Sequence, residues 1–139
     1  MYEIKGLTKS FGKNIVLNKL TIDFTANTTV IVGLNGAGKT VLLNSITGIT
    51  RFDKGSVYLD GFALGTKEFK ERIFYAPSDF YLPEYLTGEE YAYFILNRYP
   101  QHSFSLFLEL AELLDLTNYL KKPLEAYTFG MKKRFKLLL

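Results

Sequence analysis

Gly33-Leu34-Asn35-Gly36-Ala37-Gly38-Lys39-Thr40 decides how this chain is read. The stretch fits G-x-x-x-x-G-K-[ST] at each fixed position. A loop that wraps a phosphate must bring backbone N–H groups onto it, and side chains would block that approach. Gly36 and Gly38 remove the obstruction and also accept positive φ. Gly33 opens the loop, and Leu34, Asn35 and Ala37 add main-chain donors between the glycines. Lys39 supplies a mobile cation to stabilise the β and γ oxygens, and Thr40 offers a hydroxyl to Mg²⁺. The alternative is a glycine-rich surface turn. The flanks decide for phosphate, because the mechanism needs a strand before the loop and a helix after it.

Thr28 to Val32, Thr-Thr-Val-Ile-Val, is β-branched throughout and does not alternate. That pattern predicts a central strand covered on both faces, as in a parallel sheet. Thr40 to Thr47 predicts a helix, with Gly48 as its C-terminal cap. Further out, Met1 to Lys9 reads as a short strand. Leu20, Ile22 and Phe24 alternate with Thr21, Asp23 and Thr25, the period-2 pattern of a half-buried strand. Val57 and Leu59 mark another strand before an Asp60-Gly61 turn. Ile73 to Ala76 reads as one more, closed by Pro77.

The second half turns helical. Thr87 and Glu90 form a capping box. Tyr91, Phe94, Ile95 and Tyr99 follow on one helical face, and Pro100 ends the segment. Ser105 to Leu116 predicts another helix, with Leu106, Leu110, Leu113 and Leu114 on its apolar stripe.

Composition bounds the rest. The 139 residues are 47% apolar and 22% charged, ordinary globular usage and enough apolar surface to offset ordering entropy. With no cysteine, disulfide scaffolds and thiolate metal sites are excluded, and one histidine, His102, makes multi-histidine centres a poor expectation. No apolar run approaches the ~20 residues that span a bilayer, and Met1-Tyr2-Glu3-Ile4-Lys5 shows no signal-peptide core. These features point to the cytosol. The net charge of +3 is local. Lys132, Lys133, Arg134 and Lys136 cluster near the C-terminus, and setting those four aside leaves 13 bases against 14 acids. No nucleic-acid module accompanies them, so no nucleic-acid partner is expected.

With strand, loop and helix assembled, the chain resembles the ATP-binding (nucleotide-binding) subunit of an ABC transporter over all 139 residues. Leu7-Thr8-Lys9-Ser10-Phe11-Gly12 is similar to the family's opening, where an aromatic stacks on adenine. Phe11 matches that position; a core phenylalanine is the alternative. Asp53-Lys54-Gly55-Ser56-Val57-Tyr58-Leu59-Asp60-Gly61 resembles the strand and turn after the first helix and is expected to serve the fold. Ile73-Phe74-Tyr75-Ala76-Pro77-Ser78 aligns with the Q-loop, but Ser78 stands where the family has a glutamine that helps hold Mg²⁺ and the attacking water. Serine is too short to reach as far. Asp79 is read as a solvated loop acid or, alternatively, a substitute acting through water.

Tyr127-Thr128-Phe129-Gly130-Met131 looks like the family signature in a form common among bacterial exporters, with Thr for Ser and Phe129 at a usual glycine or lysine site. The resemblance implies that Thr128 and Gly130 cap the γ-phosphate held by another subunit, in trans, from a helix N-terminus. Lys132 to Lys136 are expected on a solvated helix face.

The implied fold class is α/β: a P-loop NTPase of the ABC type, with an N-terminal antiparallel β subdomain and a helical signature subdomain, and expected to lack the C-terminal core strands. The implied layout is one partial domain over 1–139, with a nucleotide-binding part at 1–77 and a helical part at 78–139. The implied function is the ATP-binding component of a transporter, with ATP and Mg²⁺ as ligands. A homodimer or paired ATP-binding subunit and an integral membrane permease are the implied partners. The place is the cytoplasm, peripheral on the inner face of the cell membrane.

In the family a Walker B strand, with Mg²⁺-binding Asp and catalytic Glu, and then a switch histidine follow the signature. None is found in these residues, and His102 precedes the signature. The expectation is a chain that binds nucleotide and hydrolyses it poorly or not at all, its core sheet partly distorted or completed by self-association or strand exchange. Two other readings stay open: a non-hydrolysing nucleotide-binding fragment, and a non-transport ABC-type ATPase.

Overall fold

A computed structural model describes residues 1–77, 81–99 and 103–139. They form two compact units, Met1–Tyr75 and Ala76–Leu139.

In the first unit, β1 (Tyr2–Phe11) and β2 (Asn14–Phe24) make a long hairpin. After the phosphate loop comes α1 (Lys39–Ile46), then β3 (Lys54–Leu59), β4 (Phe62–Ala63) and the single turn α2 (Lys67–Lys70). The strands form one antiparallel sheet in the order β2-β1-β3-β4. β1 has Ile4 and Leu7 both fully buried, a spacing of three that strict alternation forbids. A register shift between Ile4 and Leu7 resolves this, so both face one core. Gly55 of β3 lies against that irregularity at φ +109°, where a Cβ would come within 2.7 Å of Leu7 Cα and of Lys5 O. Only glycine fits there. Leu17, Ile46, Val57 and Phe69 complete the buried cluster.

Expectation and structure agree for β1, β3 and α1, with Thr47 as the C-cap and Gly48 beyond it at φ 84°. β2 extends six residues upstream of the alternating Leu20–Phe24 stretch, as far back as Asn14. Two expectations fail. Thr28–Val32 lies outside any strand, with Val30 77% and Val32 88% exposed. Ile73–Ala76 is irregular too, and the Tyr75 hydroxyl donates to Asn44 Oδ1 of α1 at 2.8 Å. β-branched composition suits a strand, but a strand exists only against a neighbour, and none lies beside either segment among the described residues. The expected central parallel strands are thus absent from this sheet.

The second unit packs α3 (Gly88–Leu96), α4 (Phe104–Leu113) and α5 (Phe129–Leu138) with two short 3-10 turns, Thr117–Tyr119 and Leu124–Ala126. Phe135 sits at the centre, its ring 5.7 Å from that of Tyr127 and 6.4 Å from that of Phe107. The Tyr127 hydroxyl donates to Tyr119 O at 2.9 Å, and burial pushes its pKa up to about 12. The capping box at Thr87 and Glu90 forms in both directions.

Both predicted apolar faces hold in part, since Tyr91 is buried and Ile95 and Leu114 pack against the core, and both are corrected for the rest. On α3 the buried residues are Gly88, Tyr91, Ala92 and Leu96, while Phe94 is exposed under the Arg98 guanidinium, 3.8 Å from its centroid. On α4, Phe107 and Ala111 are buried, and Leu106, Leu110 and Leu113 face outward. Ser105, Glu109 and Glu112 recur at i, i+4 and i+7 as an exposed polar stripe, and Phe107 and Ala111 lie opposite it; the leucine stripe read from the sequence flanks that buried face. The larger Phe107 ring takes the core position, and Ala111 permits close approach. Pro100 and His102 lie outside the described residues.

Candidate nucleotide-binding site

The loop predicted to hold phosphate is a compact, exposed turn. The Ala37 N–H donates to Leu34 O at 3.2 Å, which closes the turn through Asn35 and Gly36. Gly36 and Gly38 stand at φ 81° and 87°, and Gly38 is the N-cap of α1. A Cβ on Gly36 would meet nothing within 4 Å, so space is open on that side. A Cβ on Gly38 would lie 2.8 Å from Val16 Cγ1, so β2 forms the floor under the start of the helix. Sequence reasoning missed Val16, because nothing local marks it. Leu42 N–H donates to Gly38 O at 2.8 Å, which starts the α1 ladder and leaves its first N–H groups directed back toward the loop. α1 has no acidic residue in its first turn, so its positive end is not neutralised there.

Lys39 Nζ donates to Gly33 O and to Leu34 O, each at 2.7 Å. The ammonium is folded over the loop's own carbonyls, at the mouth of the cradle. Thr40 is exposed on the first turn of α1. The donor set suits a phosphate chain, and a magnesium ion there would take the Thr40 hydroxyl together with phosphate oxygens. Among the described residues no group of three or more His, Asp or Glu could hold a metal ion alone.

Phe11 ends β1 opposite Asn14 in the hairpin, and its ring is 53% exposed, which removes it from the core. Lys9 Nζ sits 4.8 Å from its centroid. Val16, which touches Gly38, is two residues beyond Asn14 on β2, roughly 7 Å along the strand. The aromatic and the loop therefore belong to one end of the same hairpin.

In the second unit, Thr128 is the N-cap of α5, and its Oγ1 accepts the Met131 N–H at 3.3 Å. Gly130, the second residue of α5, is exposed, and a Cβ there would meet nothing within 4 Å. The lysine stretch is more engaged than a solvated face. Lys132 Nζ pairs with Glu84 Oε1 at 2.9 Å, and Arg134 donates to Leu114 O at 2.7 Å. Ser78 and Asp79 lie outside the described residues.

A family model described as ABC transporter matches residues 17–139. This chain belongs to the ABC transporter family. The uncharacterized ABC transporter ATP-binding protein YdbJ of Bacillus subtilis is 30% identical over 94% of this chain and 44% of its own length. The linearmycin resistance ATP-binding protein LnrL of the same organism is 26% identical over 99% of this chain and 46% of its own length. The chain thus spans less than half the length of these two relatives. A solved ATP binding subunit of an ABC transporter superposes with a TM-score of 0.84 at 23% identity, over 99% of this chain and 60% of that one. A dimeric bacterial ABC transporter cassette gives 0.80 at 22%, over 99% of this chain and 68% of that one. At such identities the structures establish the fold, which is that of the ABC ATP-binding domain. No helix among the described residues is long and apolar enough to cross a membrane.

Proposed function

We propose that the chain binds Mg·ATP through Gly33–Thr40, as part of the ATP-binding component of a membrane transporter. The observation that carries this is the loop itself: two left-handed glycines open an exposed turn at the N-terminus of α1, with Lys39 at its mouth. On binding, Lys39 exchanges two carbonyls for phosphate oxygens, a gain because a charged acceptor makes the stronger bond. Main-chain donors of Leu34 through Thr40 line the phosphate chain, and Thr40 takes a coordination place on magnesium. Phe11 offers its exposed ring to the adenine.

The nucleotide part is assigned to 1–77 and the helical part to 78–139. In the second, Thr128 and Gly130 at the start of α5 meet the γ-phosphate held by a paired ATP-binding subunit. Closure of such a pair drives a membrane-embedded permease, which places the chain peripherally on the cytoplasmic face. Support comes from family membership and from relatives named as ATP-binding proteins of transporters.

Calorimetric titration with Mg·ATP tests the binding step. Saturable binding is expected, weakened about 10- to 100-fold by Lys39→Ala, the loss of one charged hydrogen-bonding group at ~1.5–3 kcal/mol. Equal affinity in the variant sinks the assignment. Hydrolysis that Lys39→Ala abolishes excludes a non-hydrolysing binder. Co-purification with a polytopic membrane protein supports the transport role, whereas co-sedimentation with ribosomes overturns it.

A further inference from the structure

We propose that Asp53 is a positioning residue for the nucleotide base: it holds the end of β1 so that Phe11 presents its ring. The inference rests on the assignment of Phe11 as the base-stacking residue.

β1 pairs with β3 only as far as Thr8, opposite Lys54, and Lys9, Ser10 and Phe11 pair with β2 alone. On the β3 side the strand therefore runs past its neighbour, and its backbone there needs another partner. Asp53 supplies one from both of its ends. Its own N–H donates to Thr8 O at 2.8 Å, and its carboxylate Oδ2 accepts the Ser10 N–H at 2.7 Å. The residue before β3 thus continues the ladder with a side chain where the main chain has turned away. The other carboxylate oxygen, Oδ1, lies 3.7 Å from Lys9 Nζ, and that ammonium stands over the Phe11 ring. Lys9 is mostly buried, with 15% of its side chain exposed, while the ring it touches is exposed.

One carboxylate therefore fixes the strand on one side of the ring and the cation against the ring itself. With this brace, the exposed Phe11 ring is held before the base arrives, which lowers the ordering cost of stacking. Without it, the last three residues of β1 are held from β2 only, next to the Gly12-Lys13 turn. The phosphate loop is independent of this link: Lys39 Nζ donates to Gly33 O and Leu34 O, and the Ala37 N–H to Leu34 O.

That independence sets the test. Calorimetry compares Mg·ATP with inorganic triphosphate, which lacks a base, on the full chain and on two variants. Asp53→Ala is expected to weaken ATP about five- to tenfold, a fraction of a full base–aromatic stack, and to leave triphosphate unchanged. Asp53→Asn keeps an acceptor for Ser10 N–H and loses the charge beside Lys9, so it binds ATP more tightly than Asp53→Ala. An unchanged ATP affinity in Asp53→Ala, or an equal loss for both ligands, overturns the proposal. A parent chain that binds triphosphate but gains nothing from the base also overturns it while leaving the loop assignment standing. A parent that binds neither ligand removes both.

Discussion

Gly36 and Gly38 share a left-handed backbone and sit two residues apart, yet their surroundings differ. An alanine at Gly36 pays the left-handed backbone penalty alone, about 1–2 kcal/mol, because its Cβ meets open space. An alanine at Gly38 pays the same penalty and also drives a methyl to 2.8 Å from Val16 Cγ1, with Val16 O at 3.5 Å. Overpacking of this kind adds about 1–3 kcal/mol. Thermal or urea unfolding of the two variants is expected to rank Gly38→Ala below Gly36→Ala by that margin. Equal losses would show that β2 does not floor the loop. Nucleotide binding reads a different difference, since the Gly36 methyl enters the open side of the loop whereas the Gly38 methyl points into β2. The fixed positions of the loop thus serve two ends: Gly36 keeps room for the ligand, and Gly38 also lets the helix start close to the sheet.

At the scale of single elements, the caps were legible and the faces only in part. Thr87 and Glu90 are three residues apart, and their mutual hydrogen bonds need nothing from the rest of the chain. Hydrogen bonds from the Thr87 N–H and hydroxyl hold the Glu90 carboxyl below its ordinary pKa. A carboxyl depressed in the folded state adds stability above its unfolded pKa and loses it as pH falls through the folded value. The contribution is therefore present at pH 7 and fades below about pH 4.5, the ordinary glutamate value. Thr87→Ala is expected to cost about 1 kcal/mol at pH 7 and less at pH 3, read from denaturant midpoints. An effect that is the same at both pH values rules out the charged form of the box. The rotation of α4 is a different matter: Leu106, Leu110 and Leu113 flank the buried face, while Phe107 and Ala111 lie opposite the polar stripe Ser105, Glu109 and Glu112. Phe107→Ala is expected to cost about 3–5 kcal/mol, whereas Leu113→Ala, 76% exposed, stays within about 0.5 kcal/mol. Reversed values in equilibrium unfolding would restore the leucine stripe as the buried face.

Over the whole molecule, what could be read from the sequence is what short-range chemistry fixes. The phosphate loop, the Asp60-Gly61 turn and the helix caps each follow from residues within a few positions of one another. The bulge that buries both Ile4 and Leu7, the Val16 floor and the Asp53 brace depend on residues brought together by the sheet, and no local pattern announces them. Thr28–Val32 shows the limit most plainly, since its composition names a strand and its conformation depends on neighbours that no described residue provides. That segment has a consequence for the free chain. It carries no charge and no proline, is rich in β-branched residues, and leaves Val30 and Val32 largely exposed, the profile of a segment that seeks a strand partner in another molecule. The chain is therefore expected to associate as its concentration rises. Val30→Lys places a charge in the run without touching the core, so it lowers light scattering and shifts sedimentation toward the monomer. Leu137→Lys is the control: this residue is equally exposed, at 79% against 77%, but lies on α5 in the other unit. If both substitutions suppress association alike, apolar exposure in general is responsible; if neither does, the run does not drive association. Only a selective effect of Val30→Lys assigns it to the unpaired strand segment.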